Sequence, residues 1–416
     1  MSDTIASVTE NVLDVEKIRK DFPILSQSVR GKPLIYLDNA ATTHKPISVI
    51  ERVRNFDAEK YGTVRRGTYK LSEHATQLYE EVRQKVADFM GAEKKGEIVF
   101  TSGTTQAINL VAHSFGKRFV NEGDEIIISN IEHHANIVPW QVLCEERGAK
   151  LKVIPVDDDG ELVMEEYEKL LSPKTRMVAV NHVSNALGTI NPIKEITQKA
   201  HAVGARVLID GAQSTPHIKL DVRDIDCDFY TFSGHKMYGP SGIGGVYGKM
   251  EVWEEMPPYV TGGDMIIQGT LEKTTYAKPP ARFEAGTPPI TQVMGLGAAI
   301  DYLNEIGMDK IADYENSLLE YGTRLFKEIE GVRIIGNARR KASIISFFSD
   351  SAHPHDMVHF LDQDGISCRG GHHCAQPTMI RYGVPATTRA SMAFYNKPEE
   401  LDALAESVQK CIRIFS

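Results

Sequence analysis

Arg206-Val207-Leu208-Ile209-Asp210-Gly211-Ala212-Gln213 and, one apolar run later, Phe229-Tyr230-Thr231-Phe232-Ser233-Gly234-His235-Lys236 decide the fold. Each is a short apolar stretch that ends on polar, chemically competent residues. Similar runs stand at Glu97–Phe100, Ile126–Ser129, Leu151–Pro155, Met177–Val180 and Gly244–Tyr247. Several are Val/Ile-rich and nearly unbroken, as strands covered on both faces must be. Helical patterns lie between many of them, among them Thr105–Phe119 and Ile193–Val203. Strands alternating with helices predict an α/β fold around a mostly parallel, seven-stranded sheet.

The chain has 416 residues, too many for one ordinary core, so two domains are expected. Past about Thr291 the pattern changes to long helices, Gln292–Glu305 and Tyr314–Ile329. Short strand-like runs follow at Ala342–Phe348 and Gly365–Arg369, with helical Asp356–Leu361 between them, and a last helix at Pro398–Phe415. The expected division is a large domain over 32–291 and a smaller α+β domain made of 15–31 and 292–416. Residues 1–14 read as a disordered tail. Residues Met256–Arg282, with Gly262-Gly263 and Pro279-Pro280, read as an interface or active-site excursion.

Hydrophobic content of 42% and charged content of 25% are those of a soluble globular protein, and a net charge of −9 argues against nucleic acid as a partner. No apolar run is long enough to span a membrane. The acidic N-terminus lacks the features of a signal or transit peptide, so the cytoplasm is the expected compartment. The five cysteines, Cys144, Cys227, Cys368, Cys374 and Cys411, are widely spaced, with no CxxC, and point to neither a disulfide framework nor a zinc ribbon.

The reactive residues fall just after the predicted strands, where open parallel sheets bind ligands. A lysine one strand beyond a strand-end carboxylate, Lys236 after Asp210, is a candidate Schiff-base lysine with the partner of a pyridinium nitrogen. This is the pair needed to hold pyridoxal phosphate. Gly103-Thr104-Thr105 opens a helix after its strand and can cradle a phosphate, or serve only as a cap. His133 can stack on a ring. Asn185 can donate to a ligand oxygen. Gly239-Pro240-Ser241-Gly242-Ile243-Gly244-Gly245 looks like a dinucleotide-binding run but leads into a strand, so tight turning explains it better. In the C-terminal part, Arg369-Gly370-Gly371-His372-His373-Cys374-Ala375 sets a thiol in a Gly-flanked, His-rich loop suited to a nucleophile. A metal there would lack a fourth ligand. Arg389 offers a fork for a carboxylate.

With these parts in order, the chain resembles the cysteine desulfurases among the class-V aminotransferase-like, fold-type-I pyridoxal phosphate enzymes, and within them the SUF-system, group II, SufS-like branch that includes selenocysteine lyases. The motifs carrying the resemblance run in family order. They are Tyr36-Leu37-Asp38-Asn39-Ala40-Ala41, Gly103-Thr104-Thr105, Glu132-His133-His134-Ala135-Asn136, Asp210-Gly211-Ala212-Gln213, Ser233-Gly234-His235-Lys236 and the Cys374 loop.

The resemblance implies a conversion of L-cysteine to L-alanine, with sulfur held on Cys374 and passed to a SufU-like or SufE-like protein acceptor for iron-sulfur cluster assembly. It implies that Lys236 binds pyridoxal 5'-phosphate and moves the Cα proton. Asp210 would pair with the ring nitrogen, Gln213 with the ring hydroxyl, and His133 would stack. Thr104, Thr105, Ser233 and His235 would hold the phosphate, joined by Thr287 from the partner of a homodimer. Asn185, Arg389 and Arg66 would bind the substrate carboxylate. One segment departs from the family pattern: Arg65-Arg66-Gly67-Thr68-Tyr69 lacks two flanking histidines. Selenocysteine lyase, another β-eliminating activity, or a non-catalytic sulfur-carrier subunit are the alternatives.

Overall fold

A computed structural model describes residues 13–416 of the chain. Of the expected tail, only Leu13 and Asp14 lie among these residues. Asp14 accepts the Lys17 amide at 3.0 Å and so caps the helix Val15–Lys20, while the rest of the tail lies outside the described residues.

The seven expected strands form one sheet in the order Ile98–Thr101, Gly244–Gly248, Phe229–Ser233, Arg206–Asp210, Thr175–Asn181, Glu125–Ser129, Lys150–Ile154. Gly244–Gly248 is antiparallel to both neighbours, and the other pairings are parallel. The unbroken apolar runs have a direct cause. Val178, Val180, Val207 and Ile209 enter the core on one face, and Met177, Ala179 and Leu208 the core on the other. Successive strand side chains point to opposite faces, so a sheet buried on both sides needs apolar residues at every position.

The Gly239–Gly245 run serves more than turning. Gly242, at φ +78°, supplies the turn. A Cβ on Gly244, however, would lie 2.4 Å from the Phe232 carbonyl oxygen and 2.7 Å from Gly103 Cα. The glycine lets this strand approach the backbone that precedes the helix Thr104–Phe119.

A second, four-stranded antiparallel sheet has the order Arg333–Ile335, Ile344–Phe348, Thr387–Ser391, Arg369–Gly371. It shares a core with residues of Met308–Lys327, Pro354–Gln363 and Pro398–Phe415, including Leu318, Leu361 and Leu404. The helix Ile290–Ile306 crosses the expected boundary at 291–292 and packs on Ile47–Glu59 and Lys70–Met90. Within Leu34–Leu37, only Ile35–Tyr36 forms a strand, and it is half-buried. It pairs in parallel with Ile366–Ser367. Residues Met256–Arg282 hold the hairpin Ile266–Gly269 and Thr274–Tyr276, with Ile267 and Leu271 exposed. Among the described residues, no helix is long and apolar enough to cross a membrane.

Candidate active site

The ends of Arg206–Asp210 and Phe229–Ser233 deliver Asp210 and Lys236 to one cavity of about 470 Å³. Its wall also holds Thr104, Thr105, His133, Asn185, Gln213, Ser233, His235, Cys374 and Arg389. Asp210 is buried, and its Oδ1 accepts the Ala212 amide at 2.9 Å. Burial raises its pKa, against the opposing pull of that hydrogen bond and of Lys236. Lys236 follows in the short turn Gly234–Lys236, which is closed by Gly234 donating to the Ile243 carbonyl at 2.9 Å. Burial pushes its amine down to about 8, and the Asp210 charge limits the fall.

His133 accepts the Ala135 amide on Nδ1 at 3.0 Å, and burial followed by Lys236 pushes its pKa down to about 4. The ring is therefore neutral, with its proton on Nε2. Beside it the helix Thr104–Phe119 begins. The Thr104 amide donates to Ser233 Oγ at 2.9 Å, and Ser233 Oγ lies 3.0 Å from Thr104 Oγ1. The first-turn amides and these hydroxyls gather donors where the helix dipole favours an anion. His235 is anchored from below, its carbonyl accepting from Thr42 Oγ1 and the Thr43 amide, both at 3.0 Å.

Cys374 is the only exposed cysteine of the five. Its loop leaves the strand Arg369–Gly371 and passes through left-handed backbone at His373 (φ +53°) and Cys374 (φ +54°), a costly conformation for residues with a side chain. Neighbours hold it there. Asn185 Nδ2 donates to the His373 carbonyl at 2.7 Å, the His134 amide to the Cys374 carbonyl at 2.7 Å, and the Cys374 amide to His372 Nδ1 at 3.2 Å.

Arg389 is buried, with Nη1 on the Asn185 carbonyl at 2.8 Å and Nη2 on Asp38 Oδ1 at 3.1 Å. Arg369 reaches the other oxygen of the same carboxylate, with Nη2 at 2.8 Å from Asp38 Oδ2. Sequence reasoning quoted Asp38, Arg369 and His373 within motifs but gave them no role. The signal for Asp38 was present, because it is a carboxylate just past an apolar stretch, as Asp210 is. Glu132 was passed over in the same way. It is buried under the His133 turn, accepts from Asn136 Nδ2 at 2.7 Å and the Asn181 amide at 3.0 Å, and burial pushes its pKa up to about 8.

Two expected site residues stand outside the cavity of the single chain. Arg66 pairs with Asp264 at 2.6 Å and is largely exposed. Thr287 lines a separate cavity with Glu284 and Gly286. The departure at Arg65-Arg66 is not a basic surface pair. Arg65 turns inward onto the buried Glu284, which Arg83 also holds in two contacts of 2.6 and 2.9 Å.

Four buried atoms on cavity-lining residues have no protein partner: Asn185 Oδ1, Gln213 Oε1, His373 Nδ1 and Arg389 Nε. Buried polar atoms are seldom left unpaired, so the cavity fits a polar occupant that both donates and accepts hydrogen bonds, with Arg389 Nε free for an acceptor. Pyridoxal phosphate with an amino-acid carboxylate meets that description.

Comparison with known proteins agrees. The family model for aminotransferase class-V matches residues 35–404. The chain is 51% identical over 399 residues to a probable cysteine desulfurase of Mycolicibacterium paratuberculosis, covering 96% of this chain and 58% of that protein. It is 50% identical over 401 residues to a cysteine desulfurase of Dickeya dadantii, covering 96% and 97%. The chain thus spans little more than half of the first relative and nearly all of the second. The crystal structure of the cysteine desulfurase CsdA (S-sulfonic acid) from Escherichia coli superposes with a TM-score of 0.90 at 36% identity, covering 97% of this chain and all of that one.

Proposed function

The chain belongs to the class-V aminotransferase family, and on that premise we propose that it is a pyridoxal 5'-phosphate-dependent cysteine desulfurase. It converts L-cysteine to L-alanine and keeps the sulfur as a persulfide on Cys374. The observation that carries this reading is the convergence of Lys236, Asp210 and Cys374 on one cavity. A transaminase has no use for the thiol.

Lys236, Asp210, Gln213, His133 and the Thr104–Thr105–Ser233–His235 cradle would hold the cofactor, which supplies an electron sink for a carbanion at the substrate Cα. Arg389 and Asn185 bind the α-carboxylate and so fix which Cα bond faces Lys236. Lys236, with its pKa near neutrality, takes the Cα proton. Asp210 sits at the strand end as the anionic partner of a ring cation. Cys374 Sγ attacks the substrate sulfur. The new S–S bond forms as the C–S bond breaks, the carbon skeleton keeps that electron pair and gains a proton, and alanine leaves.

The exposure of Cys374 supports delivery of the sulfur to a protein acceptor of the SufU-like or SufE-like kind, for iron-sulfur cluster assembly. The short, pinned Cys374 loop supports the group II branch. The position of Thr287 outside the single-chain cavity supports a homodimer in which it reaches the partner's site. The same reading carries a large domain over 32–291 and a smaller one made of 15–31 and 292–416, with the helix Ile290–Ile306 running across their boundary, and a cytoplasmic location.

The test is a pair of variants. Lys236→Ala should abolish the absorbance of the lysine-linked cofactor and all turnover. Cys374→Ala should keep that absorbance and lose alanine formation. Full cysteine turnover by Cys374→Ala would remove the nucleophile assignment.

A further inference from the structure

Glu132 is fully buried one residue before His133, and the steps described above do not use it. Its hydrogen-bond partners are donors from three points of the chain. Oε1 accepts the Asn181 amide at 3.0 Å and the Ser129 hydroxyl, and Oε2 accepts Asn136 Nδ2 at 2.7 Å. Ser129 ends the strand Glu125–Ser129, and Asn181 ends Thr175–Asn181, where it stands in register beside Asp210. Asn136 closes the His133 turn, its amide donating to the His133 carbonyl at 2.8 Å. One carboxylate therefore ties the turn that carries His133 to the strand end beside Asp210. Burial and the Asp210 charge oppose its ionisation, and the three hydrogen bonds favour it. An amide in its place would set N–H against N–H at one of these donors. Asn136 cannot turn its oxygen to relieve this, because that oxygen already takes Trp140 Nε1 at 2.9 Å, and an indole only donates.

We infer that Glu132 is a positioning residue for the reaction: through its three donors it holds His133 in a fixed relation to Asp210 before the cofactor arrives. The inference rests on the reading of His133 and Asp210 as cofactor residues. His133, Asn181 and Asp210 line the cavity and Glu132 does not, so it acts through His133 and touches neither substrate nor cofactor. Groups held in place before a ligand binds lose less freedom when it does, and the saving appears as affinity. A buried carboxylate is costly unless its hydrogen bonds are complete, so the frame is rigid only while all three donors are in place.

The experiment dialyses the holoenzyme to equilibrium against falling concentrations of pyridoxal 5'-phosphate and takes the dissociation constant from the lysine-linked absorbance. Glu132→Gln should weaken binding about tenfold, the effect of one lost hydrogen bond. In a His133→Ala background the same substitution should weaken it by less than about twofold, because the residue it positions is gone. Glu132→Gln together with Asn136→Asp exchanges amide and carboxylate. The new amide then donates to the new carboxylate beside Trp140, and binding should return to within about threefold of the parent's. A merely structural Glu132 predicts equal losses with and without His133. That result would overturn the inference, as would an exchange that recovers nothing. Ser129→Ala removes one donor, keeps the carboxylate and repeats the comparison if Glu132→Gln does not fold. It should give a smaller loss that also vanishes without His133, and a loss that persists there would overturn the inference equally. The lysine-linked band of the parent is read separately. Its absence would defeat the proposed function, whereas equal losses beside a normal parent band would defeat only the role of Glu132.

Discussion

The amide of His134 donates to the carbonyl of Cys374 at 2.7 Å. His133, its neighbour, lines the cavity, so one short loop both lines that cavity and pins Cys374, whose loop leaves the other sheet. Cys374 pays for this position with left-handed backbone, so the loop keeps its shape only while its tethers hold.

Asn185 is a side-chain tether from outside the loop. Asn185→Ala removes its 2.7 Å bond to the His373 carbonyl but leaves the backbone oxygen that Arg389 uses. A lost hydrogen bond of about 1–1.5 kcal/mol corresponds to about a tenfold fall in kcat/KM for cysteine. Rapid-quench measurement should find persulfide formation on Cys374 slowed even at saturating cysteine. An effect confined to KM would assign Asn185 to carboxylate binding alone.

Lys236 gives a pH dependence. Only the neutral amine accepts a proton, and its pKa is pushed down to about 8 by burial and by Arg389 and Arg369, with Asp210 opposing. Alanine formation should therefore rise with pH up to about 8 and level above it. Arg369→Gln removes one of the lowering charges and should carry the rising limb to higher pH. A pH–rate profile on parent and variant checks the direction.

The Arg65–Glu284–Arg83 cluster predicts a stability difference. Burial opposes ionisation of Glu284, but the Arg83 charge and hydrogen bonds hold its pKa below the usual carboxylate value. That contribution is present above the ordinary carboxylate pKa and is lost as pH falls through the folded value. Arg83→Met strands a buried carboxylate and should cost about 3–5 kcal/mol near neutral pH. Urea midpoints should show the gap to the parent narrowing toward acid. Arg65→Ala should cost less, because Arg83 still pairs with Glu284.

Gly244→Ala tests the close approach behind the phosphate cradle. The added methyl would meet the Phe232 carbonyl at 2.4 Å and Gly103 Cα at 2.7 Å. Overpacking of this kind costs about 1–3 kcal/mol, and displacement of Gly103 should weaken cofactor binding along with it. Gly263→Ala, where a Cβ meets nothing within 4 Å, is the control and should leave both unchanged.

Most of the architecture was legible because it rests on local patterns. Unbroken apolar runs such as Val207-Leu208-Ile209 report a sheet buried on both faces, and polar residues just past them mark its ligand-binding edge. That edge alone singles out Lys236 and Asp210, while Gly103-Thr104-Thr105 reads from it as either a phosphate cradle or a helix cap. Periodicity gave no warning that Leu34–Leu37 would join Ile366–Ser367, because a two-residue strand has no period to read.

The residues themselves determined which chemistry is possible here: a lysine and a carboxylate at adjoining strand ends, and a thiol in a glycine-flanked loop. Only the tertiary structure decided which charges meet. Asp38, Arg369 and Arg389 are far apart in the chain yet form one cluster, and Arg65, adjacent to Arg66, turns inward while its neighbour faces solvent. Charge pairing depends on distance through space and on burial, and both are set by the packing of the two sheets.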